Sequence, residues 1–152
     1  MAAPFPLPAP MRRALELALR AQEAEEVPIG AVVTRNGVII GEGENRNRRD
    51  RDPTAHAEIV AMRAAAAYLE DFRLTGCDLW VTLEPCPMCA GAISHARIAR
   101  LYYGAADPKG GAIEQGPRLF TQPQCLHRPE VYGGLAQADA SALLRDFFAA
   151  RR

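Results

Sequence analysis

The sequence predicts an α/β domain, a mixed sheet of about five strands with helices on both faces. Three observations predict it. "IGAVVTRNGVIIGEGEN" holds two apolar runs joined at Asn36-Gly37, the strongest short signal for a β-hairpin. After the hairpin, short apolar runs alternate with longer helical patterns, the rhythm of strand–helix–strand units. A chain of 152 residues, 49% hydrophobic and 24% charged, suits one ordinary domain with a real core.

The elements follow in order. "MAAPFPLPAP", residues 1–10, reads as a short extended tail, because its alternating prolines break any apolar helix. It lacks the basic start of a secretory signal, so the cytoplasm is the expected location. Residues 11–152 form the single domain. "MRRALELALRAQEAE" sets Met11, Ala14, Leu15, Ala18 and Leu19 on one face of a helix from about residue 11 to 25. The hairpin comes next, then the charged loop "NRNRRDRD". A second helix starts near residue 55, with Thr54 as its expected N-cap. "CDLWVTL" is a strand. "CPMCAGAISHAR" is a third helix, with Pro87 suited to its first turn. "RLYYGA" is a strand, and a loop-rich stretch holds one helical turn near Arg118 to Phe120. "EVYGG" is a last strand, and "ADASALLRDFFAARR" a closing amphipathic helix.

Composition narrows the function. Eighteen basic residues balance eighteen acidic ones, which argues against a wholesale nucleic-acid coat but leaves room for a local basic face. No apolar run reaches the length of a membrane span. Four cysteines in a chain without an export signal suit metal binding or catalysis better than disulfides.

The chemistry lies in two short stretches. Cys86 and Cys89 are spaced C-x2-C at a helix start, where two thiolates point to one side. Alone, they suit a redox pair or half of a structural zinc site. His56 and Glu58, in "PTAHAEIVAM", open another helix. A lone histidine there is commonly a surface or capping residue. Together the stretches change meaning. One imidazole and two thiolates make three ligands, so a tetrahedral zinc keeps an open position, the mark of a catalytic site. Both groups lie at helix N-termini, whose dipoles favour thiolate over thiol. Glu58 would then be a proton carrier beside the metal. Cys77 opens an apolar strand and reads as a buried small side chain. Cys125 has no partner at ligand spacing.

H-x-E followed by P-C-x-x-C is the zinc nucleobase deaminase signature. The resemblance goes further. "EVPIGAVV", "DPTAHAEIVAMR", "VTLEPCPMCAGAI" and "LLRDFFAARR" resemble the bacterial tRNA-specific adenosine deaminase family over nearly the whole chain after the tail. The resemblance implies a three-layer α-β-α cytidine deaminase-like fold. It implies one Zn2+ per subunit on His56, Cys86 and Cys89, with Glu58 as proton shuttle. The substrate implied is the wobble adenosine of a tRNA anticodon stem-loop, converted to inosine with release of ammonia. Asn45, Asp107, Lys109, Phe148 and Arg151 match positions that contact the RNA in the family. A homodimer is expected, with no membrane and no DNA partner. Three of these matches have a plainer meaning: a turn cap for Asn45, a surface charge for Lys109, a core aromatic for Phe147 or Phe148. The cluster of Arg46, Arg48, Arg49 and Arg51 is diluted by Asp50 and Asp52 and suits a solvated loop as well as a phosphate track.

Two stretches depart from the family pattern. Leu126 stands where a polar residue is usual, and "GAIEQGPRLF" replaces the more usual loop. Two other functions fit part of the evidence. A guanine or other nucleobase or nucleoside deaminase would use the same zinc chemistry. A non-enzymatic RNA-binding module with a structural zinc would have no use for Glu58.

Overall fold

The computed structural model describes residues 7–151. Its elements, in order, are α1 (Ala9–Glu23), β1 (Gly30–Arg35), β2 (Val38–Glu44), α2 (Ala57–Leu69), β3 (Cys77–Leu83), α3 (Pro87–Ala96), β4 (Arg100–Ala105), a 3-10 turn (Leu119–Thr121), β5 (Glu130–Tyr132) and α4 (Gln137–Ala149). The five strands form one sheet in the order β2-β1-β3-β4-β5. β1 pairs antiparallel with β2 and β3, while β3, β4 and β5 run parallel. The sheet is mixed, as expected.

Asn36 and Gly37 both take positive φ, 51° and 78°, between the paired residues Arg35 and Val38. That is the two-residue turn whose twist matches the strands, and the asparagine-glycine pair tolerates it best.

Helices cover both faces. Along β1, Ala31 and Val33 face one side and Val32 the other, by the two-residue period of a strand. The first pair joins Leu79, Val81, Ala61, Ala65 and Ile93 in the core beneath α2 and α3. Val32 joins Trp80, Met11, Ala14 and Leu17 in the core beneath α1, and Leu135 and Ala136, just ahead of α4, pack into that same core. The Trp80 indole donates to Thr34 Oγ1 at 3.1 Å, which satisfies its buried N–H.

Glycine sets how close the helices lie. A Cβ on Gly30 would sit 2.0 Å from the Ala14 carbonyl of α1, and one on Gly43 would sit 2.3 Å from the Ala57 carbonyl of α2. Helix backbone therefore rests directly on strand backbone. The start of α2 is held against the end of β2.

Three local expectations are corrected. α1 begins at Ala9, so the extended tail ends before residue 10, and residues 1–6 of that tail lie outside the described residues. Pro8 is the N-cap and Pro10 lies in the first turn, where a missing N–H costs nothing. The buried face of α1 runs through Met11, Ala14, Leu17, Ala18 and Ala21, and Leu19 is exposed. Leucines on several sides of this alanine-rich helix blur its periodicity. The third correction concerns Thr54, which is not the cap of α2. Its N–H and hydroxyl both donate to Asp52 Oδ1, at 2.8 and 2.7 Å, and His56 takes the N-cap position. No helix of the described residues is long and apolar enough to cross a membrane.

Candidate active site

The site is built from two helix starts. His56 is the N-cap of α2 and Cys86 the N-cap of α3, and both have extended backbones, with ψ of 155° and 173°. The extended backbone turns each side chain off the end of its helix, towards the other. The His56 side chain makes no capping hydrogen bond, so its ring is free for other work. Cys89 is one turn into α3 and fully buried.

His56 Nδ1 lies 3.5 Å from Cys86 Sγ and 3.5 Å from Cys89 Sγ. The three potential ligand atoms all lie within 4.8 Å of one another. Two thiols cannot both donate to a single ring-nitrogen lone pair. A tetrahedral zinc, with bonds of roughly 2.3 Å to sulfur and 2.0 Å to nitrogen, spaces N and S about 3.5 Å apart. The donor triangle therefore fits zinc in both chemistry and size, and the cofactor is zinc. The triad gains no fourth histidine, cysteine or carboxylate among the described residues, which leaves one coordination position for a reactant.

Charge in the site is unevenly held. The thiol of Cys89 and the ring of His56 both stabilise Cys86 as a thiolate, and its pKa falls to about 4. Cys89 is pushed the other way by the hydrogen bond it shares with Cys86 and by burial. Without metal the pair thus keeps one proton, which zinc would displace. The thiolate of Cys86 also raises the His56 pKa. Glu58 is 4% exposed. Burial, reinforced by the charge of Cys86 and opposed by that of His56, pushes its carboxyl up to about 7.

The residues expected to meet RNA fare differently. Asn45 is 4% exposed, and its Oδ1 accepts the Ala57 N–H at 2.8 Å. It secures the first turn of α2 beside His56 and Glu58, so its capping role is real and it adjoins the site. Asp107 Oδ1 accepts the N–H groups of Lys109 and Gly110, both at 3.1 Å, in a local turn that leaves Lys109 exposed. Phe147 is buried, and Phe148 is 51% exposed. The Arg151 guanidinium lies 3.5 Å above the Phe147 ring and donates to the Phe147 carbonyl at 3.2 Å. Phe148 lies in α4 and Arg151 just past it, and α4 packs on β4 and α1. Half of the arginine cluster is neutralised: Arg46 pairs with Asp50 and Arg49 with Glu26 and Glu44, while Arg48 and Arg51 are exposed.

Three buried carboxylates were not foreseen, and the first, Glu44, is 7% exposed and pairs with Arg49. Glu26 is 2% exposed and accepts the N–H groups of Arg48 and Arg49 at 3.2 and 2.9 Å, anchoring the charged loop. Glu84, also 2% exposed, accepts four main-chain N–H groups from residues 107–115. A charged residue closing the apolar run "VTLEPC" was the signal for it.

Residues 8–105 match the cytidine and deoxycytidylate deaminase zinc-binding region, which sets the class of this domain as a zinc-dependent deaminase. The tRNA-specific adenosine deaminase of Agrobacterium fabrum is 56% identical over 142 residues, 93% of each chain. A solved structure from work on A-to-I editing by tRNA:A34 deaminases superposes with a TM-score of 0.88 at 56% identity, covering 89% of this chain and 98% of that one. The guanine deaminase from Nitrosomonas europaea superposes with a TM-score of 0.77 at 29% identity, covering 98% and 86%. The chain belongs to the tRNA-specific adenosine deaminase family, a branch of that class.

Proposed function

We propose that this chain hydrolyses the 6-amino group of the wobble adenosine in a tRNA anticodon loop, giving inosine and ammonia. The observation that carries the proposal is Glu58, buried beside a three-ligand metal triangle with its carboxyl poised near pH 7. His56, Cys86 and Cys89 hold the zinc. When bound, zinc supplies the Lewis acidity that makes water nucleophilic near neutral pH. Glu58 would take one proton from water as its oxygen bonds to C6, deliver that proton to ring N1, and then take the proton left on the new hydroxyl. As the C6–N bond breaks, Glu58 hands the second proton to the departing amine. A group with a pKa near the working pH serves best in both directions.

The target base leaves the loop stack to enter the site, as a single-stranded loop permits. Asn45 orients the nucleotide from beside the first turn of α2. Asp107 and Lys109 line its approach, and the exposed ring of Phe148 offers a stacking face. Arg151 stiffens Phe147 beneath that face and supplies positive charge at the end of α4. With two of the four loop arginines paired to carboxylates, phosphate contacts are few, so affinity falls only modestly with salt.

The chain works in the cytoplasm, where its substrate is made, and as a homodimer. Supporting the dimer is a cleft of about 470 Å3 along the outer face of α3, between the exposed side chains of Phe72 and Leu126. Sedimentation showing only monomer at micromolar concentration would remove that part of the proposal.

The deciding assay offers the protein an anticodon stem-loop with adenosine at the wobble position, beside free guanine, cytidine and adenosine. Inosine forms in the stem-loop alone, and Glu58→Ala abolishes it with zinc still bound. Turnover of guanine instead, as the likeness to a guanine deaminase allows, would keep the mechanism and discard the RNA. Unchanged function in Glu58→Ala would leave only a structural zinc.

A further inference from the structure

Glu84 is a fully buried charged group with no part in that reaction. Glu84 stands between the end of β3 and Pro85-Cys86. Its Oε1 accepts the Asp107 amide at 3.0 Å. Its Oε2 accepts the amides of Ile113, Glu114 and Gln115 at 3.1, 2.8 and 3.0 Å. The main chain on either side joins in: the Glu84 N–H donates to the Ala105 carbonyl at 2.8 Å, and the Pro85 carbonyl accepts the Ala112 N–H at 2.9 Å. The whole 105–115 segment is thus sewn to the two residues that precede Cys86.

The fit is close. A Cβ on Gly111 would sit 2.6 Å from both the Glu84 carboxyl carbon and the Asp107 carbonyl oxygen. Only glycine lets the loop close over the carboxylate there. A second tether lies further along, where the buried Tyr103 hydroxyl donates to Glu114 Oε1. Glu114 belongs to the stretch 111–120, so this contact pins the far end of the same loop. Converging amides make a concave anion site. A buried carboxylate without such partners would be costly, so carboxylate and loop conformation require each other.

We propose that Glu84 is a positioning residue: through four main-chain amides it holds the 107–115 loop, with Asp107 and Lys109, in fixed relation to the Cys86–Cys89 segment. The RNA loop then meets a preformed surface aligned with the zinc. This rests on the RNA substrate proposed above.

The test uses the zinc-loaded full chain. Glu84→Gln keeps the size but turns an amino group, itself a donor, towards amide donors. Gly111→Ala disturbs the same contact from the other side and leaves the carboxylate intact. For both, zinc stays at one per chain, and KM for the stem-loop rises by about an order of magnitude or more, the cost of misplacing a binding surface. The kcat at saturation changes far less, and amide hydrogen exchange quickens within 107–115. Unchanged KM in either folded, zinc-loaded variant would overturn the inference. So would activity lost only in step with zinc or with melting temperature. If the unaltered chain leaves the stem-loop untouched, the RNA substrate is what fails. Exchange in 107–115 then decides alone whether Glu84 holds the loop.

Discussion

Glu58 and Glu26 show how burial alone fails to fix the behaviour of a carboxyl. Both are nearly inaccessible, at 4% and 2%. Burial dominates at Glu58 and lifts it to about 7. At Glu26 burial also pushes upward, yet the amides of Arg48 and Arg49 and the Arg49 guanidinium outweigh it and hold the carboxyl below the ordinary 4.5. One is tuned to move a proton and the other to keep its charge. Glu58→Gln should therefore retain one zinc per chain and lose at least about a hundredfold in kcat, measured with stem-loop substrate and metal analysis together. His56→Ala should instead lose the metal. For Glu26 the sign follows from its depressed pKa. Its stabilisation is fully present above pH 4.5 and is lost as pH falls through the folded-state value. In Glu26→Gln the protein should melt lower at neutral pH, and its melting temperature should fall less steeply below pH 4.5 than in the unaltered chain. The donor group was legible in the sequence because two thiolates on one ion impose the C-x2-C spacing, and because His56 stands two residues from the carboxylate expected to move protons. Glu84 was not, because its partners are main-chain amides 23 to 31 residues further on, and an amide carries no side-chain signature.

At the scale of elements, the hairpin was legible because the turn at Asn36-Gly37 requires positive φ at two successive positions. The strand–helix alternation was legible for the same kind of reason, a change of period. The start of α2 was misplaced because threonine is a common cap, whereas here Thr54 turns back to Asp52 and His56 takes that position. What the sequence could not display is how near the elements lie. Gly41 and Gly43 in β2 face the backbone of α2 at Ala61 and Ala57, and nothing in "VIIGEGE" says which helix comes so close. Gly43→Ala should push α2 off the sheet. We expect a loss of about 1–3 kcal/mol of stability, the usual cost of overpacking, read by urea unfolding. Activity of the remaining folded protein should fall too, because His56 and Glu58 ride on that helix. Gly37→Ala serves as the contrast. Nothing lies within 4 Å of its added carbon, so its effect should be on stability through the positive φ of 78° alone.

The whole molecule is a sheet with different tasks on its two sides. The layer of α2 and α3 carries the metal triangle, and the layer of α1 and α4 carries the exposed Phe148. Zinc joins the first turns of two helices that otherwise meet only through the sheet and a few side chains. Chelation should therefore lower the melting temperature, and restoring zinc should return it, with a shift that grows with free zinc as binding linkage demands. Scanning calorimetry with and without a chelator checks this. A melting temperature indifferent to zinc would mean that the folded triangle holds zinc no more tightly than the unfolded chain does, and would remove the metal site.

The joint between α2 and β2 is made of main chain, with glycine on one side and alanine on the other. Such a joint has no side-chain rotamers to re-sort. It cannot yield by the small adjustments that let an ordinary apolar contact breathe. The distance from His56 to the two sulfurs is therefore gauged by backbone, like the jaws of a fixed caliper. A larger soft cation, such as cadmium, would have to spread those jaws. The glycines of β2 touch no ligand, yet they set where the helix that follows His56 can stand.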